Sequence, residues 1–364
     1  MKSLMITLSL LVLCGARGLA QENLYDFRTL ERSTNLPDGI ITDRSAVIVN
    51  VPVVSSDEYT SIGDSKPMVF KAHQAFTKMG IDPIVYINAF DLQGSAHSLQ
   101  SYQSYLLQRG VKNLIFLTKK KNTYELLMAP FNQKETMVSN STTVYYMARE
   151  HLTRLLIDTG REIRRIERKS TNFLPPVSPL VLSGLSIIEK EKIKRMPGQL
   201  RRSLLAVERF SRKPIPEGSS QAAIDHISAY NTKIDLANAT LDSIMAKNYP
   251  FDYIVIDKMS NEEMLRKRYQ FLLRSEFGSV ETVLRRLEYD VQEDDHEMIT
   301  IVPILPDQTL KKPYSINTLI YKFYIRQNIT KNIHVGEWDA EAKWEDALIN
   351  LIGNMRIAFD KQKR

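Results

Sequence analysis

The acids next to predicted strand ends are the first place to look for chemistry in this chain. Asp91 follows the apolar run Ile84–Ile87 and Asp257 closes the run Tyr253–Ile256. Open α/β sheets bind ligands beyond the carboxyl ends of their strands. Two carboxylates so placed could act on a nucleotide or another phosphorylated substrate, although a turn-forming Asp after a strand is the plainer role. The dense group Asp294-Asp295-His296, preceded by Glu293, carries oxygen and imidazole donors of the kind a hard cation uses. It falls between two predicted strands, where a solvated hairpin loop is expected instead, so no metal is expected there. The six histidines, at 73, 97, 151, 226, 296 and 334, include no i, i+4 pair that would converge two imidazoles on a metal. Trp338 and Trp344 could stack on a ligand or partner, but their place before the closing helix favours packing onto the core. Arg164, Arg165 and Arg168 sit near the end of a predicted helix, where cations offset the helix dipole and could also meet an acidic partner or a membrane surface.

Several classes of chemistry have no motif to carry them. Neither G-x-G-x-x-G nor G-x-x-x-x-G-K-[ST] occurs, and Gly63-Asp64-Ser65-Lys66-Pro67 is only a loose echo of a phosphate loop. No G-x-S-x-G nucleophile elbow occurs either, and no cofactor is expected. Met1-Lys2, the apolar run Leu4–Cys14, and the small residues Gly18 and Ala20 before Gln21 follow the order of a secretory signal peptide. The apolar run is shorter than the roughly 20 residues a spanning helix needs. Cleavage after Ala20 would remove Cys14, the single cysteine, and with it any disulfide, thiolate metal site or thiol nucleophile. Loss of Lys2 and Arg17 would leave 47 basic against 42 acidic residues, a mild +5 in place of +7. That charge permits adhesion to an anionic surface without requiring it, and the address outside the cytoplasm makes no nucleic-acid partner the expectation. After signal cleavage no transmembrane segment is expected.

The elements that must position these residues read as two α/β halves. After a polar arm over 21–44, a first domain spans 45–169. Ala46–Val51 is a buried strand, Met68–Met79 a helix ended by Gly80, Ile84–Ile87 a strand, and Ser95 caps a helix through Arg109. Strands over Asn113–Thr118 and Thr123–Ala129 flank a polar turn, and a long helix capped by Ser141 runs through Ile166. A Pro-rich and basic stretch over 170–200 reads as a linker. The second domain, 201–364, offers strands at Ser203–Phe210, Tyr253–Asp257, Thr282–Tyr289, Met298–Ile304 and Leu319–Arg326. Its helices are expected at Ile234–Lys247, Glu262–Arg274 and Glu341–Phe359. Each half is therefore Rossmann-like, β-α-β-α-β-β-α, with a mixed sheet. The parallel between MGIDPIVYI and KNYPFDYIVI, and between NTYELLMAPF and HEMITIVPI, points to an internal duplication.

The stretches DRSAVIVNVPVV, MGIDPIVYI, RGVKNLIFL and GEWDAEAKWEDAL together resemble a poorly characterised family of secreted Gram-negative bacterial proteins, some labelled NTPase. The resemblance implies export to the periplasm, the outer-membrane periphery or the exterior, and supplies no catalytic residues. The expected function is non-enzymatic, binding a protein or envelope partner or serving envelope assembly. A hydrolase acting near Asp91 and Asp257, and a small-ligand binding protein with a cleft between the halves, are the alternatives.

Overall fold

The computed structural model describes residues 30–361 apart from 57–58, 134–136, 139–141, 167–171, 173, 175–178, 216–220, 293–294 and 306–307. The expected signal peptide, Arg168, Asp294 and the prolines at 175 and 176 lie outside the described residues. The fold is mixed α/β, with seven α-helices among the described residues and two principal mixed sheets.

The first sheet is organised on β2 (Arg44–Asn50). Val47 and Val49 enter one hydrophobic cluster while Ala46 and Ile48 enter another on the opposite face. A strand apolar on both faces must be covered on both. Helices α1 (Lys66–Lys78) and α3 (Leu152–Ile163) cover one face, through Phe76, Leu155 and Leu156. The other is covered by α2 (Ala96–Gln108), through Tyr102 and Leu106. β2 pairs in parallel with β5 (Asp82–Asn88) and β6 (Val111–Lys119). β7 (Tyr124–Pro130) and β8 (Val144–Arg149) then add antiparallel.

The second sheet is built on β11 (Leu205–Glu208), parallel to β12 (Tyr253–Ile256) and β13 (Phe271–Ser279). β16 (Leu319–Gln327) and β17 (Ile333–His334) follow antiparallel. The long α4 (Gln221–Asn248) and the closing α7 (Trp344–Lys361) pack on one face. The short α5 (Asn261–Arg266) and α6 (Val280–Arg286) pack on the other.

In each sheet the five strands stand in the same order, fifth-fourth-third-first-second, with the same parallel and antiparallel pairings. In each, a two-residue strand ahead of the first also pairs in parallel with the fifth: β1 (Arg32–Ser33) on β8 and β10 (Lys192–Ile193) on β17. MGIDPIVYI and KNYPFDYIVI fall on the equivalent strands β5 and β12. HEMITIVPI instead falls on β14 (Glu297–Leu305), which pairs with β15 (Gln308–Ser315) in a hairpin placed before β16, whereas in the first half β6 turns directly into β7.

Several elements differ from expectation. The expected helix from Ser141 begins as a strand, because the exposed ladder of β7 takes Val144–Arg149 as its partner, a long-range gain that local periodicity does not register. The expected helix Glu262–Arg274 ends early, at a left-handed Arg268 (φ 60°), and Phe271-Leu272-Leu273 becomes the buried start of β13. Thr282–Tyr289, expected as a strand, starts as helix α6 because Ser279 caps it by accepting from the Thr282 N–H. The stretch expected as a linker is stitched into both sheets, with β9 (Val181–Leu182) on β5 and β10 on β17. β1 likewise draws the N-terminal arm into the first sheet. No helix among the described residues is long and apolar enough to cross a membrane.

Phe271 is fully buried where β13 meets β11 and β16. Phe271→Ala should lower the unfolding free energy by about 3–5 kcal/mol in urea titration, as for other buried aromatics. A change below about 1 kcal/mol would show that this segment does not lie in the core.

A cationic cleft between the two lobes

The two halves meet through a buried polar junction. Beyond β5 the chain turns through a short 3-10 helix, Ala89–Gln93, capped by Asn88, whose side chain accepts from the Phe90 N–H. This turns Asp91 inward, 1% exposed, where it accepts a hydrogen bond from Thr282 of α6 at 2.8 Å. Tyr102 donates to it more weakly, at 3.5 Å. Arg286, also on α6 and fully buried, donates to the Asp91 carbonyl, to the Phe277 carbonyl at 2.8 Å and to Glu276 Oε2 at 3.1 Å. Glu276 also accepts from the Ser95 hydroxyl of the first lobe. Gly94 makes the approach possible: a Cβ there would lie 1.9 Å from Arg286 Nη1 and 2.8 Å from the Phe277 carbonyl oxygen. Gly184, with φ +62°, passes equally close to Thr282, and its N–H donates to Tyr102 at 3.1 Å. Burial raises the Asp91 carboxyl to about 6, against the opposing pull of Arg286 and the Thr282 hydrogen bond. Burial also raises Glu276, with Arg286 pulling the other way.

This junction holds α2 of the first lobe over the second sheet and leaves beside it a cavity of about 1420 Å³. The cavity opens past the carboxyl end of β11, which lies between β12 and β13. This is the switch point at which the crossovers leave in opposite directions, the usual ligand position in an open α/β sheet. Beyond β11 the backbone is clamped to α4 by two asparagine side chains one heptad apart. Asn238 bonds the N–H and carbonyl of Phe210 at 2.9 and 3.1 Å, and Asn231 bonds those of Lys213 at 2.8 and 2.9 Å.

The lining is unevenly charged. Arg209, Lys258, Arg274, Arg326 and Lys331 face two carboxylates, Glu189 and Glu208. Glu208 is paired with Arg274. Glu189 accepts from Arg326 at 2.6 Å and Lys331 at 2.7 Å, and these bonds outweigh its burial and hold its carboxyl below the usual range. His97, from the first turn of α2, stands 3.6 Å from Glu189. Burial lowers its basicity; Glu189 opposes that, while Arg326, Arg274 and Lys331 add to it. Burial thus favours the neutral imidazole over the charged one. On the other side of the β11 end, Phe210, Phe323 and Trp344 form an aromatic wall, with Phe210 and Trp344 edge to face at 5.0 Å. Four buried polar atoms on lining residues have no hydrogen-bond partner within the described chain: Gln93 Oε1, Glu208 Oε1, Arg326 Nε and Trp344 Nε1. Orphaned buried donors and acceptors are costly.

The residues singled out in the sequence are distributed as follows. Asp91 and Asp257 do not meet: Asp91 is sealed in the junction and Asp257 is exposed at the end of β12. The segments that follow them do line the same cavity, Gln93–His97 on one wall and Lys258–Asn261 on another. Trp344 is core and cavity wall at once, whereas Trp338 packs on Tyr289 at 5.1 Å away from the cavity. Arg164 is the C-cap of α3 and Arg165 follows it, paired with Glu162 at 2.7 Å. Asp295 accepts from the Gln292 N–H at 2.8 Å in a turn and His296 is exposed; no group of three metal-type ligands occurs among the described residues. Glu189, Arg274, Arg326 and Lys331 were not anticipated. Their signal was charge inside apolar strand runs, as in Phe271-Leu272-Leu273-Arg274 and Phe323-Tyr324-Ile325-Arg326. No protein-family model matches the chain, and no curated protein matches it.

A buried acid whose folded pKa is raised favours the fold below its unfolded pKa near 4, and that contribution is lost as pH rises through about 6. Asp91→Asn removes the effect. Between pH 4 and pH 7 the variant should therefore gain on the parent by on the order of 2–3 kcal/mol in denaturant titrations. A difference between the two that does not vary with pH would contradict the assignment.

Proposed function

We propose that this chain is an exported, non-enzymatic binding protein that holds an anionic ligand with an apolar or aromatic portion in the cleft between its lobes. The observation that carries the reading is the excess of cations lining the cavity, five against two carboxylates, beside an aromatic wall. The common five-strand order of the two sheets supports an origin by internal duplication, with the cleft formed where the ends of equivalent strands approach each other. The apolar Leu4–Cys14 run supports export, and the family resemblance supports an envelope setting.

The His97–Glu189 pair favours one alternative, a hydrolase of a phosphorylated substrate. A neutral imidazole next to a carboxylate can take a proton from water, which moves the hydrolytic centre from the acids expected at 91 and 257 to α2.

Melting curves with inorganic phosphate, a sugar phosphate and a nucleoside monophosphate test the binding reading. At a ligand concentration near 100 Kd the stabilisation should be about 2.7 kcal/mol, and Lys331→Gln with Arg209→Gln should abolish the shift while the unliganded melting temperature stays within a few degrees. No shift with any of the three, or an undiminished shift in the double variant, would refute the cleft as an anion site. Turnover lost in His97→Gln would favour the hydrolase.

A further inference from the structure

A second cavity, of about 420 Å³, lies between α1 and α3 on the face of the first sheet opposite α2, and so apart from the inter-lobe cleft. Its floor is apolar, with Met79, Leu156 and Ile163 below and Ile157 at the rim, 46% exposed. Gly160 lies in the last turns of α3, where glycine costs about 1 kcal/mol relative to alanine. A Cβ there would stand 3.2 Å from Met79 Cε, so the glycine keeps the floor open against an adaptable side chain. Lys71, Lys78 and Arg164 stand around this floor.

The acids of α3 do not neutralise those cations. Asp158 is taken up by Arg149, Arg154 and Arg161 at 2.8, 3.0 and 2.9 Å, and Glu162 by Arg165. Among the described residues Lys71, Lys78 and Arg164 have no carboxylate partner; Lys71 makes only a 3.4 Å contact with Thr153. An apolar trough rimmed by three uncompensated cations matches a molecule with one apolar tail and one anionic head. The volume is within the range of about 300–1,000 Å³ typical of small-molecule sites.

We propose that the α1–α3 groove binds a single-chain anionic amphiphile, a long-chain carboxylate, with its tail over Gly160 and Met79 and its head among Lys71, Lys78 and Arg164.

Calorimetric titration of the full chain with dodecanoate below its micelle concentration tests this directly. Saturable one-to-one binding is expected, with dodecanol and hexanoate each at least about tenfold weaker, because each lacks one half of the recognition. The triple variant Lys71→Gln, Lys78→Gln, Arg164→Gln should weaken dodecanoate binding by at least about tenfold, the scale of one lost charge-assisted hydrogen bond. Ile157→Glu, at a solvent-facing position that leaves the core untouched, should abolish it. The dodecanoate affinity of the α1–α3 groove should be the same in Lys331→Gln, whose change lies in the inter-lobe cleft. No binding by the parent, or undiminished binding in the triple variant, would overturn the proposal. So would loss of binding in Lys331→Gln, which would place the ligand in the cleft. Binding to anionic phospholipid vesicles without binding of monomeric dodecanoate would overturn it in favour of a membrane-surface contact.

Discussion

The guanidinium of Arg286 is the interaction on which the rest of the arrangement depends. It sits without solvent contact between the lobes, its two Nη groups bonded to one carboxylate and two backbone carbonyls, one of them from the opposite lobe, with Nε left unpartnered among the described residues. A buried pair of this kind adds little over a well-packed apolar contact, but losing one partner costs roughly 3–5 kcal/mol because the other charge is stranded. The contribution of such a network is therefore geometric. It permits one docking of the halves and penalises the rest. Gly94 and Gly184 are needed at the same junction because any side chain there would occupy the space of the guanidinium or of Thr282.

The cleft follows from that docking. Among the described residues the only helices of its own on one face of the second sheet are the six-residue α5 and the seven-residue α6, and α2 of the first lobe lies over the space they leave. Charged side chains on that face, Arg274 and Arg326, therefore open toward a cavity instead of being covered by a helix of their own lobe. On the opposite face α4 and α7 are long, and the same strands carry aromatic and aliphatic side chains into a close-packed cluster. The cleft inherits a polar side from one face and an aromatic side from the other.

Much of this was legible in the sequence, and what was missed shares a cause. The buried parallel strands at Ala46–Val49 and Tyr253–Ile256 announce themselves by continuous β-branched and aromatic runs bounded by turn residues. β8 and the start of β13 do not, because each is decided by a distant partner, β7 for one and β11 for the other. Helix α6 was hidden by Val283-Leu284, which suits a strand as well as a helix, and its start is set by the hydroxyl of Ser279. The acids singled out at strand ends, Asp91 and Asp257, do not themselves line the cavity. The chain following Asp91 and Asp257 lines the cavity, whereas the cationic residues that define it follow β11 (Arg209) and β12 (Lys258), lie on β13 and β16 (Arg274 and Arg326) or follow β16 (Lys331), and converge through sheet topology.

The central claim is that a single buried junction fixes the width of the cleft. Spin labels at Gln108→Cys on α2 and Lys258→Cys beyond β12, in a Cys14→Ser background, would report that width as a distance distribution. The account predicts one narrow distribution in the parent and a broad or displaced one in Arg286→Lys, whose ammonium cannot span the three acceptors. A broad distribution in the parent, or a narrow one unchanged in Arg286→Lys, would contradict it.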